Sequence, residues 1–180
     1  MIPRFIGHLN WAEQQHNTPD LWRLEEPYAQ ITSDGHMIMC PMWRCIDGAS
    51  FPRPLWVIPG IGHPFEGKNK FWSPPHDMGY AGCAIVIDLN TEAAKLMTPE
   101  KWARCWEYVP AHMQIDPHSL GREWWDDTMV EGMQLCNEHR AKQFIAYRGV
   151  RLGGRSPWNE GVKAVRFGRE RGQKVISCNE

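Results

Sequence analysis

Residues 27–46 read PYAQITSDGHMIMCPMWRCI, and this stretch sets the expected fold. The tripeptide Ser-Asp-Gly at positions 33–35 is a turn signal, because all three residue types favour tight turns. Short, mostly apolar runs lie on both sides of it, the clearest being residues 36–40. The stretch therefore predicts two or three short strands, which form a small antiparallel sheet near the N-terminus.

The segment that follows, residues 47–70, reads DGASFPRPLWVIPGIGHPFEGKNK. Proline and glycine recur throughout it, and both interrupt regular secondary structure. The segment is therefore predicted to be a long ordered loop that wraps over the body of the protein.

Helix signals dominate the rest of the chain. Ser73 followed by Pro74 matches an N-cap with proline at the first helical position, which predicts a short helix from Pro74 to about Gly82. Thr98 and Pro99 give the same signal again. The run CAIVIDL at 83–89 fits either a buried strand or a helix continuation. Two longer helices are predicted over residues 120–136, capped by Ser119, and over residues 138–152, capped by Asn137.

The chain has 180 residues, 42% of them apolar, which fits one globular domain. These patterns together predict a single α+β domain, dominated by helices, with a small N-terminal antiparallel sheet and the long Pro/Gly-rich loop. Residues 1–26 are expected to form an N-terminal arm, and residues 159–180 a peripheral tail.

Composition also limits the classes of function. The formal charge is −1, so no strong overall field attracts nucleic acid or an anionic membrane. The opening residues do not resemble a signal peptide, and no window approaches the roughly 18 apolar residues of a membrane span. The six cysteines lack the close spacing of a thiolate zinc site. We therefore expect a protein that has no membrane span and no specific nucleic-acid partner.

The most reactive combination of residues is WSPPHDMGY at 72–80. On a helix, His76 and Tyr80 share one face, whereas Asp77 is rotated by roughly 100°. A position near the helix N-terminus would favour the neutral imidazole, which can act as a base. Such a histidine needs a carboxylate on another element to orient it. Asp126 is the candidate, because it lies near the predicted core face of a helix.

A histidine-aspartate pair, a tyrosine three residues further on and a remote aspartate resemble the constellation of secreted phospholipase A2. The resemblance implies that His76 deprotonates water, that Asp77 binds calcium, and that Tyr80 and Asp126 hold the imidazole. The glycine-rich calcium loop of that family is absent, and Asp47 with nearby backbone carbonyls could substitute for it. A divalent cation, calcium rather than zinc, is the expected cofactor.

A second resemblance covers more of the chain, residues 37–158. The order DGASFPRPLW, HDMGY, DDTMVEGM and AYRGVRLGGRSPW is similar to a phage-encoded family, domain of unknown function 1353. This likeness implies a phage or prophage origin and a location in the host cytoplasm or the virion. The resemblance also implies that residues 27–158 form the core shared with this family and that about residues 81–117 are an insertion in it.

Two functions remain open from the sequence. The first is a metal-assisted hydrolase that acts on an ester or amide of the cell envelope, lipid or peptidoglycan, with Trp56 and Trp72 flanking the site. The second is a non-enzymatic virion or assembly protein with other phage proteins as partners. In that case His76, Asp77 and Asp126 form a buried polar network that joins two helices.

Overall fold

The computed structural model describes residues 2–7, 11–13, 22–42, 44–46, 69–166 and 175–177. The strands are β1 (Arg4–Ile6), β2 (Trp11–Glu13), β3 (Trp22–Leu24), β4 (Tyr28–Ile31), β5 (His36–Cys40), β6 (Arg44–Ile46), β7 (Ile85–Asp88) and β8 (Val175–Ser177). The α-helices are α1 (Asn69–Ala81), α2 (Pro99–Arg104), α3 (Gly121–Leu135), α4 (Arg140–Gly153) and α5 (Arg155–Arg166). The predicted α+β class with dominant helices is confirmed.

The main sheet is antiparallel, with strand order β1-β4-β5-β7. Its centre is the predicted hairpin of β4 and β5, and Gly35 in the connecting turn has a φ of +93° that favours glycine. A second antiparallel sheet, of order β2-β3-β6-β8, consists of three-residue strands. Antiparallel strands near the N-terminus are therefore confirmed.

The main sheet is covered on both faces. Alternate residues of its strands pack into two different hydrophobic clusters, one shared with α1 and α3 and the other with α2 and the segments around it. Side chains of successive strand residues point to opposite faces, so a strand covered on both sides is apolar throughout. This arrangement explains why the burial of β4 and β5 is nearly continuous rather than alternating.

Helix α1 is the central element, because it contacts α3, α5 and strand β5. It begins at Asn69, so the prediction that Ser73 caps it and Pro74 opens it is wrong. Pro74 and Pro75 lie in the helix interior, where each removes one backbone hydrogen bond. The hydroxyl of Tyr28 donates to the carbonyl of Phe71 at 2.9 Å. This carbonyl would accept the N–H of residue 75 in a regular helix, but Pro75 has no N–H. The Tyr28 side chain thus offsets part of the free-energy cost of placing prolines in the helix. No pattern in the local sequence reveals this long-range bond.

The two long helices begin later than predicted. Helix α3 follows a 3₁₀ turn, Pro117–Leu120, which is capped by the Asp116 carboxylate rather than by Ser119. His139 caps α4, because its Nδ1 accepts the backbone N–H of Ala141, and Asn137 instead ends α3 with a positive φ of 52°. The start of α2 is as predicted, with Thr98 as its cap and Pro99 at its first position.

The predicted arm, insertion and peripheral tail all contribute to the fold. The proposed insertion at residues 81–117 supplies β7, which pairs with β5 and shows that residues 83–89 hold a strand. The proposed arm at residues 1–26 supplies β1, which pairs with β4. The proposed tail at residues 159–180 begins inside α5, where buried Gly161 lies against α1. Each segment is integral because it covers an edge or face that would otherwise be open.

The predicted loop at residues 47–70 lies outside the described residues, except for its last two, which begin α1. Among the helices that the structure describes, none has the length and apolar character needed to cross a lipid bilayer.

Candidate functional site

A buried polar cluster lies where α1, α3 and α4 meet. His76 and Tyr80 are one turn apart on α1, and their rings are in contact with centroids 4.3 Å apart. Asp126 approaches them from α3, and Arg151 approaches Asp126 from α4. The structure therefore brings together His76, Tyr80 and Asp126, the three residues that the sequence predicted would meet.

Asp126 is fully buried, and its two carboxylate oxygens are both occupied. The Tyr80 hydroxyl donates to Oδ1, and Arg151 Nη1 donates to Oδ2 at 3.3 Å. His76 Nε2 lies 3.5 Å from the same Oδ1. Burial raises the pKa of Asp126, but its interactions with His76, Tyr80 and Arg151 outweigh burial and lower the pKa below its ordinary value. Asp126 is thus an ionised carboxylate inside the protein.

His76 lies between two carboxylates rather than facing one. Its Nδ1 is 3.2 Å from Asp77 Oδ1, so the expectation that Asp77 points elsewhere is wrong. Burial lowers the pKa of His76, but hydrogen bonds and charge from Asp126 and Asp77 more than offset it, and the pKa is raised above 6.5. The predicted influence of a helix N-terminus fails as well, because α1 begins seven residues earlier.

One side of this cluster holds polar atoms without partners. Ser73 Oγ and Asp77 Oδ2 are buried and have no hydrogen-bond partner within the described part of the chain. On the opposite side of the imidazole, His76 Nε2 lies 3.5 Å from Asp126 Oδ1, which is too far for a full hydrogen bond. Ser73 and Asp77 are four residues apart on α1, so they share one face. Buried polar atoms in native proteins nearly always have a partner, which can be protein, water, an ion or a ligand. These atoms mark a place for a small polar group.

Two members of the cluster were missed by the sequence reasoning. Arg151 was not among the predicted site residues, yet it binds Asp126. A signal was available, because a buried aspartate needs a charged or hydrogen-bonding partner. Ser73 looked like a helix cap, and its real position could not be found without the true start of α1. The pKa of Tyr80 is raised, by burial first and then by its bond to Asp126, so this hydroxyl remains a donor at neutral pH.

The other predicted site residues are not part of this geometry. Trp72 is only 1% exposed and packs in the core beside Met129 and Met133, so it cannot offer a ring to a substrate. Asp47 and Trp56 lie outside the described residues. Within the described ranges, no three His, Cys, Asp or Glu side chains are grouped closely enough to hold a metal ion.

The raised pKa of His76 predicts how stability depends on pH. A group whose pKa is higher in the folded state stabilises that state fully below the unfolded value, about 6.5, and loses this contribution as pH rises through the folded value. We expect the difference in unfolding free energy between the parent and a His76→Gln variant to shrink from pH 6 to pH 9. Urea unfolding at several pH values measures it, and a difference that is constant over this range contradicts the charged imidazole.

Comparisons with protein-family models, with curated proteins and with solved structures found no match to this chain.

Proposed function

We propose that the protein is a hydrolase in which His76 is the general base. The observation that carries this proposal is the asymmetry of the two sides of the imidazole. The Nε2 side faces Asp126, whose remaining capacity is taken by Tyr80 and Arg151. The Nδ1 side faces Asp77 and lies on the helix face that holds the unpartnered oxygens.

This asymmetry assigns different roles to the two aspartates. Asp126 orients the ring through Nε2 and balances the charge that the imidazole gains when it accepts a proton. Nδ1, which lies 3.2 Å from Asp77 Oδ1, would take the proton of an attacking water once the Asp77 carboxylate has turned from the ring towards a bound cation. Because the pKa of His76 lies above 6.5, the neutral ring becomes more abundant with increasing pH. Activity should therefore increase as the pH rises through the raised pKa of His76.

A divalent cation is part of the proposal, in agreement with the resemblance to phospholipase A2. Asp77 Oδ2 and Ser73 Oγ are oxygen atoms of the type that calcium prefers, and neither has a partner in the described structure. They supply only part of a coordination sphere, so Asp47 or loop carbonyls would have to complete it. When bound, such a cation would polarise the carbonyl of the substrate.

We propose an ester or amide of the bacterial envelope as substrate, in keeping with the resemblance to the phage-encoded family. The test is hydrolysis of phosphatidylglycerol vesicles and of purified peptidoglycan, each with millimolar CaCl2 and with chelator. His76→Asn should lower the rate by about 10²–10⁴-fold, the usual contribution of a general base. His112→Asn changes an exposed histidine elsewhere and should have no effect.

A structural role is the second candidate, and the burial of the cluster favours it. His76 is 7% exposed and Asp126 is 0% exposed, and their contacts join three helices. As part of a virion or assembly protein, the cluster would serve only to hold these helices together. Thermal unfolding of Asp77→Asn, with and without CaCl2, separates the two.

The hydrolase predicts that CaCl2 raises the unfolding midpoint of the parent but not that of Asp77→Asn, because a ligand of the folded state raises the midpoint. A parent that neither responds to calcium nor hydrolyses either substrate, combined with a variant that unfolds several degrees lower, supports the structural role and overturns the hydrolase.

A further inference from the structure

A surface groove of about 750 Å³ lies on the side of α3 away from His76. Its walls are the outer face of α3, the first half of α4 and the turn between β4 and β5. None of Ser73, His76, Asp77 or Asp126 lines it, so it is separate from the site described above. Its volume lies within the range of pockets that bind small ligands, roughly 300–1,000 Å³.

Three aromatic rings line this groove: Trp124, Phe144 and Tyr147. The Trp124 ring is held in place, because its indole N–H donates to Asp34 Oδ2 at 2.9 Å. Burial raises the pKa of Asp34, but bonds from Thr32, Trp124 and His36 lower it to about 2, so this acceptor stays ionised in ordinary buffers. Phe144 is 61% exposed, and the Arg148 guanidinium lies over its ring, 5.3 Å from the ring centroid.

The polar lining offers both acceptors and donors. Glu131 accepts the backbone N–H of Ser33 with Oε1 and has a second carboxylate oxygen, and Asp127 is exposed. Gln134, also on α3, supplies amide N–H groups, and Arg140, on α4, supplies guanidinium N–H groups. A ligand that only donates hydrogen bonds, such as an amine, would leave these N–H groups without an acceptor. An anion would be repelled by three carboxylates, those of Asp34, Asp127 and Glu131. A ligand with many hydroxyl groups satisfies both kinds of partner.

We propose that this groove binds a glycan. The flat, apolar face of a sugar ring would stack on the exposed aromatic surface, and its hydroxyl groups would bind the carboxylates, the Gln134 amide and Arg140. The groove is formed by two helices and a tight hairpin turn, so its shape is largely present before the ligand arrives. The proposal does not depend on whether His76 is catalytic.

The test is titration of the full chain with three soluble oligosaccharides: the β-1,4 tetramer of N-acetylglucosamine, cellotetraose and maltotetraose. Calorimetry gives the Kd, and tryptophan fluorescence reports on the surroundings of Trp124. We expect saturable binding of at least one of them. Phe144→Ala and Asp127→Asn should each weaken that binding about tenfold, because one ring contact or one charge-assisted hydrogen bond is worth about that factor. Both residues are exposed, so both variants should fold.

Tyr108→Ala is the matched control, because Tyr108 is an aromatic residue with 79% exposure that lies outside the groove. This variant should keep the Kd of the parent. Absence of saturable binding for all three sugars overturns the proposal. Binding that Phe144→Ala and Asp127→Asn leave unchanged also overturns it, as does binding of spermidine at this groove without binding of any sugar.

Discussion

Replacing Asp126 by alanine is expected to lower the free energy of unfolding by about 3 kcal/mol, and urea unfolding monitored by tryptophan fluorescence measures it. The substitution removes the acceptor of the Tyr80 hydroxyl and the countercharge of His76 and Arg151. Removing one partner of a buried ion pair typically costs about 3–5 kcal/mol. The lower end applies here, because His76 can release its proton and the Arg151 side chain is 30% exposed and can be hydrated.

Asp127→Ala is the control for this prediction. Asp127 is the next residue on α3, but it is exposed at the groove surface, so its loss should change the unfolding free energy by no more than about 0.5 kcal/mol. The contrast between neighbouring aspartates isolates burial and pairing from any general effect of charge on this helix. Equal stability of the two variants would contradict the cluster at the meeting point of α1, α3 and α4.

The contact between His76, Tyr80 and Asp126 could be predicted because it depends on helical periodicity. His76 and Tyr80 are four residues apart, and any helix through them aligns their side chains. Asp126 was identified because an aspartate near the core face of a helix needs a partner. These inferences hold whichever residue begins α1, so an incorrect helix start did not affect them.

The protonation of His76 could not be predicted in the same way. It depends on where α1 begins and on the side-chain conformation of Asp77, which places Oδ1 beside His76 Nδ1. The start of α1 was obscured because prolines normally mark the first turn of a helix. Here Tyr28 of the sheet, more than forty positions away, donates to the carbonyl that Pro75 leaves without its helical donor. Long-range compensation of this kind leaves no signal in the local sequence.

The roles of two strand-forming segments outside the helices could not be predicted, for a related reason. Residues 83–89 are apolar, which fits a buried strand or a helix equally well. The strand forms because the edge of β5 would otherwise be unpaired, and β7 pairs with it over four residue pairs. The same need to cover the sheet brings β1 to β4. Only the assembled sheet reveals that these edges exist.

Replacing Gly79 by alanine is expected to destabilise the protein by about 3 kcal/mol, an effect at the upper end for an added methyl group in a packed core. A Cβ at this position would lie 2.2 Å from Cε3 of Trp125, far inside van der Waals contact. The Trp125 ring cannot move aside, because it is fully buried and its indole N–H donates to the Pro117 carbonyl at 2.8 Å. Helices α1 and α3 must therefore separate.

Gly149→Ala separates this clash from the intrinsic effect of glycine on a helix. Gly149 also lies in a helix interior, in α4, but a Cβ there would meet nothing within 4 Å. Alanine at position 149 should stabilise the fold by about 0.5–1 kcal/mol, because it has the higher helix propensity. The same gain in helix propensity applies at position 79, so the net loss of stability expected there is smaller than the cost of the clash alone. Thermal and urea unfolding of both variants should therefore give shifts of opposite sign, and two stabilising substitutions would show that α1 and α3 do not pack through Gly79 and Trp125.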